Sequence, residues 1–246
     1  IIVIPARFKS SRFPGKPLIK LLGKPMIQWV AELSSKAVNQ ENVFIGTEDK
    51  KIYNVVTQMG FKAIMTSNKC LTGTDRLAEI AKKIKADIYI NVQGDEPLIN
   101  PKDIQKVIKA KKKYPNDVIN AYTVIKNNED PNSVNKPKVI FTKDKRLVYI
   151  SRKAIPGFKE KKNAPNFYYK QVCIYAFNRK ELLTYGKYNR KSILERSEDI
   201  EILRFLEWGK NIRLVETMQG SLAVDIPEDI KKVEAALKNL KNKKKF

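Results

Sequence analysis

Three short stretches of this chain gather residue types that handle phosphate and metal. The first, IIVIPARFKSSRFPGKPL, runs from β-branched residues into a loop whose small members Pro5, Ala6, Ser10, Ser11 and Gly15 allow close backbone approach. Arg7, Arg12 and Lys16 add positive charge suited to phosphate oxygens, so the loop fits a polyphosphate. It is not a Walker A loop, because Gly15-Lys16 is followed by Pro17 and no Gly lies five residues before it. Judged alone, the same residues also suit a basic surface turn. The second stretch, NVQGDEPLI, delivers Gln93, Gly94, Asp95 and Glu96 at the end of an apolar run. Asp95 there suits Mg²⁺, which takes oxygen ligands and is usually held by one or two carboxylates plus substrate phosphates. A carboxylate in that place can equally cap a turn. The third, SLAVDIPEDI, places Asp225 between an apolar run and a helix start, where it either shares the cation with Asp95 or caps the helix before Pro227.

Such residues need a framework that brings distant segments to one edge. Residues 1–4 read as a strand, and PMIQWVAELSSKAV has helical apolar spacing. NVFIGT, KAIMTS and DIYINVQGD then read as strands, alternating with the helical KKIYNVVTQMG and TDRLAEIAKKIKA. This alternation predicts a mostly parallel sheet covered by helices on both faces, with ligands beyond the carboxyl ends of the strands. After the helical PKDIQKVIKAKKKY the rhythm changes to α+β: NAYTVI, KVIFT, LVYISR and KQVCIYAF read as strands. A turn-rich stretch, IPGFKEKKNAPNFYY, suits a mobile loop at the site or at a subunit surface. A long helix is expected over about 197–208, a strand at NIRLVET, and a last helix at PEDIKKVEAALKNLK. The whole of 1–246 reads as one domain, with 238–246 a flexible basic tail.

Composition narrows the class. An apolar share of 42% with ten Phe and ten Tyr excludes a disordered chain despite 30% charged residues. Cys70 and Cys173 lack the spacing of a zinc site or a disulfide framework, and no apolar run reaches the roughly 20 residues of a membrane span. A reduced, cytoplasmic setting without membrane insertion is the expectation. The net charge of +23 raises the question of a nucleic-acid partner. The basic residues are mostly Lys and spread along the chain, without the aromatic-studded stripe of a nucleic-acid reader, which argues against that role. Trp29 and Trp208 sit in helical patterns and read as packing anchors.

Taken in order, IPARFKSSRFPGKPL, GKPMIQWV, GTDRLAEIA, NVQGDEPLI, YISRKAIP, ERSEDIEILR and VDIPEDI resemble the 3-deoxy-manno-octulosonate (Kdo) cytidylyltransferases, or CMP-Kdo synthetases, over nearly the whole chain. The resemblance implies a single-domain α/β fold like that of the nucleotide-diphospho-sugar transferases, with a smaller β-rich region for sugar binding and dimerisation. It implies an enzyme that transfers CMP from CTP to a Kdo-like sugar acid, releases pyrophosphate and supplies lipopolysaccharide or capsule synthesis, with Mg²⁺ as cofactor and a homodimer as assembly. By the same match Pro5, Ala6, Arg7, Ser10, Arg12 and Lys16 hold the nucleotide, Arg76 reads the cytosine and Gln93 lies near ribose and sugar. Arg7, Lys16, Asp95 and Asp225 form the catalytic set, and Asp95 and Asp225 bind the metal. Arg152, Gln171, Tyr175, Glu198 and Glu201 line or support the sugar-acid pocket, with Arg152 suited to a carboxylate.

Two positions depart from the family pattern. Gln171 stands where a His usually precedes the following strand, and Ile202 stands where EQLR has Gln. Gln171 hydrogen-bonds but cannot become cationic near neutral pH. Both changes are expected in the sugar pocket, which raises a modified acid such as 8-amino-Kdo as an alternative substrate. A non-catalytic, basic nucleic-acid-binding protein is the alternative from another class.

Overall fold

The computed structural model describes residues 1–9, 13–218, 222–224 and 226–242. Ser10, Arg12 and Asp225, three of the expected site residues, therefore lie outside the described residues. In the first half, strands β1 (Ile2–Ala6), β4 (Val43–Thr47), β5 (Lys62–Met65) and β6 (Tyr89–Val92) alternate with helices α1 (Met26–Ser34), α2 (Lys50–Gln58) and α3 (Gly73–Lys83). A small hairpin, β2 (Lys20–Leu21) and β3 (Lys24–Pro25), follows the opening loop. The second half holds α4 (Pro101–Lys113), β7 (Val118–Val124), β8 (Lys138–Phe141), β9 (Leu147–Ser151), β10 (Tyr169–Phe177), α5 (Arg179–Tyr185), α6 (Ile193–Glu198), α7 (Leu203–Glu207), β11 (Ile212–Glu216) and α8 (Asp229–Asn242).

The sheet runs β11-β7-β10-β6-β1-β4-β5, and β8 with β9 extends it from β10. All pairs on that path are parallel except those made by β10, which runs antiparallel to both β6 and β7. Successive side chains of a strand face opposite sides, and here both sides are dry. Val3, Tyr175 and Phe177 join Leu77, Ile80, Leu182 and Phe205 on one face, while Ile2, Ile4, Ile174 and Ala176 join Ile27, Val30, Val56, Ile104 and Val107 on the other. A third, smaller core packs α8 through Val233 and Leu237 onto Leu21, Met26, Trp29 and Val224. Trp29 is buried there and its indole N–H donates to the Leu21 carbonyl at 2.9 Å, so it is a packing anchor as expected.

Three expectations are corrected. The long helix over 197–208 is two short helices, α6 and α7, because Asp199 takes a left-handed conformation (φ 50°) that a continuous helix cannot contain. Helix α5 was not anticipated; Asn178 and Glu181 start it with a reciprocal capping box. The basic tail does not begin at 238, because α8 continues through Asn242 with Leu237 buried. At the edge where the parallel strands start, the buried Lys111 ammonium links α4 to α5. It donates to Glu181 at 2.8 Å and to the Asp117 carbonyl at 2.7 Å.

Candidate active site

The carboxyl ends of β1 and β6 lie side by side, and the start of β10 reaches the same edge because that strand runs the other way. A cleft of about 820 Å³ opens there. One end is lined by Pro5, Ala6, Arg7, Arg76, Gln93 and Asp95, the other by Arg152, Gln171 and Tyr175, with Glu201 between them beside Gln93. Gly94 makes this convergence possible: a Cβ there would sit 2.9 Å from the Pro5 carbonyl oxygen, so any side chain would push the ends of β1 and β6 apart.

At the opening-loop end, the Lys16 ammonium donates to Asp95 Oδ2 at 2.6 Å and to the Val224 carbonyl at 2.9 Å. The Val224 N–H donates in turn to the Asp95 carbonyl at 3.1 Å. Three segments remote in sequence thus meet at Asp95, and Val224 is the residue before Asp225. Lys16 does not itself line the cleft. Arg7 does, on an exposed side chain. Arg76 reaches the cleft, but its guanidinium pairs with Glu48 at 2.8 Å and donates to the Thr66 hydroxyl. Glu48 also accepts from the Phe8 N–H at 3.1 Å, so Arg76 fastens the ends of β4 and β5 to the opening loop.

In the middle of the cleft, Glu201 accepts from the Thr74 N–H at 2.9 Å, from the Gln93 amide at 3.2 Å and from the Asn91 amide at 3.3 Å. Burial pushes its carboxyl above the ordinary glutamate value, against the opposing pull of the Thr74 N–H. Burial also raises Tyr175, which is almost wholly covered. Behind Glu201 the Arg204 guanidinium, buried and forked onto Glu195 at 2.6 and 2.8 Å, stacks 3.7 Å from the Tyr185 ring. The Tyr185 hydroxyl meets both the Thr72 hydroxyl (3.3 Å) and the Glu201 carbonyl (3.4 Å), holding the start of α3 and the α6 to α7 junction together.

At the far end, Arg152 lines the cleft with its guanidinium donating to the carbonyls of Val134 (2.7 Å), Asp199 (3.1 Å) and Glu198. Glu198 stands behind that wall, its carboxylate accepting from the Ser151 hydroxyl and the Arg152 N–H. Gln171 lines the wall and its amide donates to Asn120 at 3.0 Å. Ile202 does not belong to the pocket: it is buried in the core beside Leu203 and Phe205, so only one of the two departures faces the cleft. The stretch 153–168 lines none of the cleft either; Phe158 and Phe167 point to solvent.

Several lining residues carried no motif signal. Cys70 and Cys173 both line the cleft; burial and Glu79 push the Cys70 thiol up to about 12, and burial raises Cys173 as well, so both stay protonated at neutral pH. Glu129 pairs with Lys170 (2.6 Å) and Lys136 (3.2 Å), closing one wall. Burial would raise its carboxyl, but hydrogen bonds from Lys170, the Lys126 N–H and Lys136 outweigh it and bring it to about 2. The folded value lies below the ordinary 4.5, so this contribution to stability is full at neutral pH and is lost as pH falls from 4.5 toward about 2. Glu129→Gln is therefore expected to lower Tm at pH 7, with the gap to wild type narrowing as pH is taken below 4.5; calorimetry across that range checks it. A gap independent of pH would remove the ion cluster from the explanation.

A mostly parallel sheet with a cationic turn and a carboxylate at one edge of a polar cleft fits an α/β nucleotidyltransferase. The family described as cytidylyltransferase matches residues 1–243. The chain belongs to the 3-deoxy-manno-octulosonate cytidylyltransferase family. It is 40% identical to the protein of that name from Trichlorobacter lovleyi, over 97% of this chain and 98% of the relative. It is 38% identical to the 8-amino-3,8-dideoxy-manno-octulosonate cytidylyltransferase of Shewanella oneidensis, over 96% of this chain and 97% of the relative. Among solved structures, CMP:2-keto-3-deoxy-manno-octonic acid synthetase complexed with CTP superposes with a TM-score of 0.89 at 38% identity, covering 97% of this chain and 98% of that one.

Proposed function

We propose that this enzyme transfers CMP from CTP to the anomeric hydroxyl of Kdo or a close relative, releasing pyrophosphate, in the cytoplasm. One observation carries the reading: a single cleft joins the opening-loop residues and Asp95 to Arg152, Gln171, Tyr175 and Glu201. CTP would lie at the first end, with Arg7 and Lys16 neutralising phosphate oxygens, and the sugar acid at the second, with Arg152 toward its carboxylate. The chain contains no His, and the chemistry needs none. In-line attack on the α-phosphate is favoured by holding both reactants in one polar cleft and by fixed positive charge opposite the developing negative charge. Gln93 and Glu201 orient the reacting hydroxyl from the middle of the cleft.

The donors present fit Mg²⁺. Asp95 offers carboxylate oxygen in an open polar cleft, the kind of donor by which Mg²⁺ is held together with substrate phosphates. Asp95 and Asp225 would hold it, and when bound it would offset phosphate charge and ease ionisation of the attacking hydroxyl. A homodimer is part of the same reading, and sedimentation as a monomer would reject it.

Gln171 supports a second reading in which an 8-amino acid is preferred. Pyrophosphate release over a panel of nucleotides and sugar acids tests both. CTP with Kdo is the expected best pair; a strong preference for 8-amino-Kdo moves the assignment to the second reading, and equal use of both acids removes the case for altered specificity. No pyrophosphate release with any sugar acid, together with tight, salt-sensitive RNA binding, would overturn both.

A further inference from the structure

Lys138, on β8, is wholly buried, yet among the described residues no carboxylate lies within ion-pair distance of its ammonium. Its two hydrogen bonds go to backbone carbonyls, Ser133 at 2.9 Å and Arg152 at 2.5 Å. Both acceptors belong to residues that line the acid end of the cleft, whereas Lys138 itself does not touch it. Burying an ammonium without a counter-ion is unfavourable, so a fold that only needed to join two loops here would do better with a neutral donor.

The surroundings explain what the charge is for. Arg152 and Lys136 face Lys138 with the same sign, and Asp130 and Glu198 are the acids near it. The Glu198 carboxylate is already occupied by Ser151 and the Arg152 N–H. The Arg152 guanidinium spends three donors on the carbonyls of Val134, Glu198 and Asp199. The Lys138 ammonium and the Arg152 guanidinium are thus two cations held by carbonyls, beside a Glu129 carboxylate already paired with Lys170 and Lys136, and an anion in the cleft is the counter-charge these two lack. Burial and the neighbouring Arg152 charge both push the ammonium below the ordinary lysine value, against the opposing pull of Asp130 and Glu198.

We infer that Lys138 is a positioning residue for the acid substrate: it holds the Arg152 backbone and the 133–137 wall in place and lends them charge, so that binding of the substrate carboxylate, and not of CTP, depends on it. The inference rests on the sugar-acid reading above. It is tested with the full-length enzyme by steady-state kinetics varying CTP and the sugar acid separately. Lys138→Met is expected to raise KM for the acid by about 10- to 100-fold, the worth of a charge-assisted contact, with kcat at saturating acid and KM for CTP within about 2-fold of wild type. Lys138→Gln keeps a donor for the carbonyls without the charge and is expected to fall between the two; it also decides the matter if the Met variant does not fold, as judged by CTP binding. An unchanged KM for the acid in a variant that binds CTP normally overturns the inference, as does a parallel rise in both KM values. A wild-type enzyme that releases no pyrophosphate with any sugar acid overturns the substrate reading and this inference together, an outcome distinct from either.

Discussion

An Asp95→Asn enzyme is expected to turn over at least about 100-fold more slowly than wild type while keeping its fold. The exchange preserves shape, an acceptor for the Lys16 ammonium, and the backbone link from the Val224 N–H to the Asp95 carbonyl. What it removes is the negative charge proposed to bind Mg²⁺ opposite the cationic turn. The loss is therefore expected in kcat and in the Mg²⁺ concentration needed for half-maximal rate, with Tm within a few degrees of wild type. Rates measured across a Mg²⁺ titration check this. Near-normal turnover would take Asp95 out of the catalytic set.

The largest stability effect is expected at the opposite edge of the sheet. Lys111→Met leaves the buried Glu181 carboxylate without its cation and frees the Asp117 carbonyl, which should cost about 3–5 kcal/mol. For a chain of this size that corresponds to a fall in Tm on the order of 10 °C. Burial raises the Glu181 carboxyl and lowers the Lys111 ammonium, and each group opposes that push on the other. A Lys111→Met/Glu181→Gln double variant, with no charge left to strand, should recover much of the loss, and the folded fraction of either should keep wild-type kcat. Denaturant titration of wild type, Lys111→Met, Glu181→Gln and the double variant reads the coupling directly. Equal losses in the single and double variants would mean that shape, not charge, sets the cost.

The strand and helix alternation of the first half is readable in the chain because each element has a clean period: IVI, VFI and YINV supply dry strands, and Leu77, Ile80 and Ala81 repeat at helical spacing. Convergence of the opening loop with Asp95 is readable from the motif order and from the rule that such sheets gather ligands at one edge. What hides is whatever depends on tertiary choice. Asp199 in a left-handed conformation breaks a stretch that looks continuous, since nothing in its residue type forces that turn. Ile202 sits one residue from Glu201, but the turn that brings Glu201 to the cleft sends Ile202 into the core. Asn120 and Lys138 did leave a trace: each is a polar residue in an apolar strand, a sign that something buried needs it. Helix α5 left one too, the N-x-x-E spacing of its capping box.

The reversed direction of β10 has a consequence for how this enzyme can change. Its residues 174–177 pair with β6, the strand that carries the Asp95 end of the cleft, whereas 169–172 pair with β7 and β8 alone, and an irregularity at 172–175 separates the two stretches. Mutations in the 169–172 stretch can remodel what the cleft accepts as its acid without disturbing the hold on CTP. Gln171 lies in that stretch, so a lineage could adopt a new acceptor by drift in a few positions there while its donor chemistry stays constant.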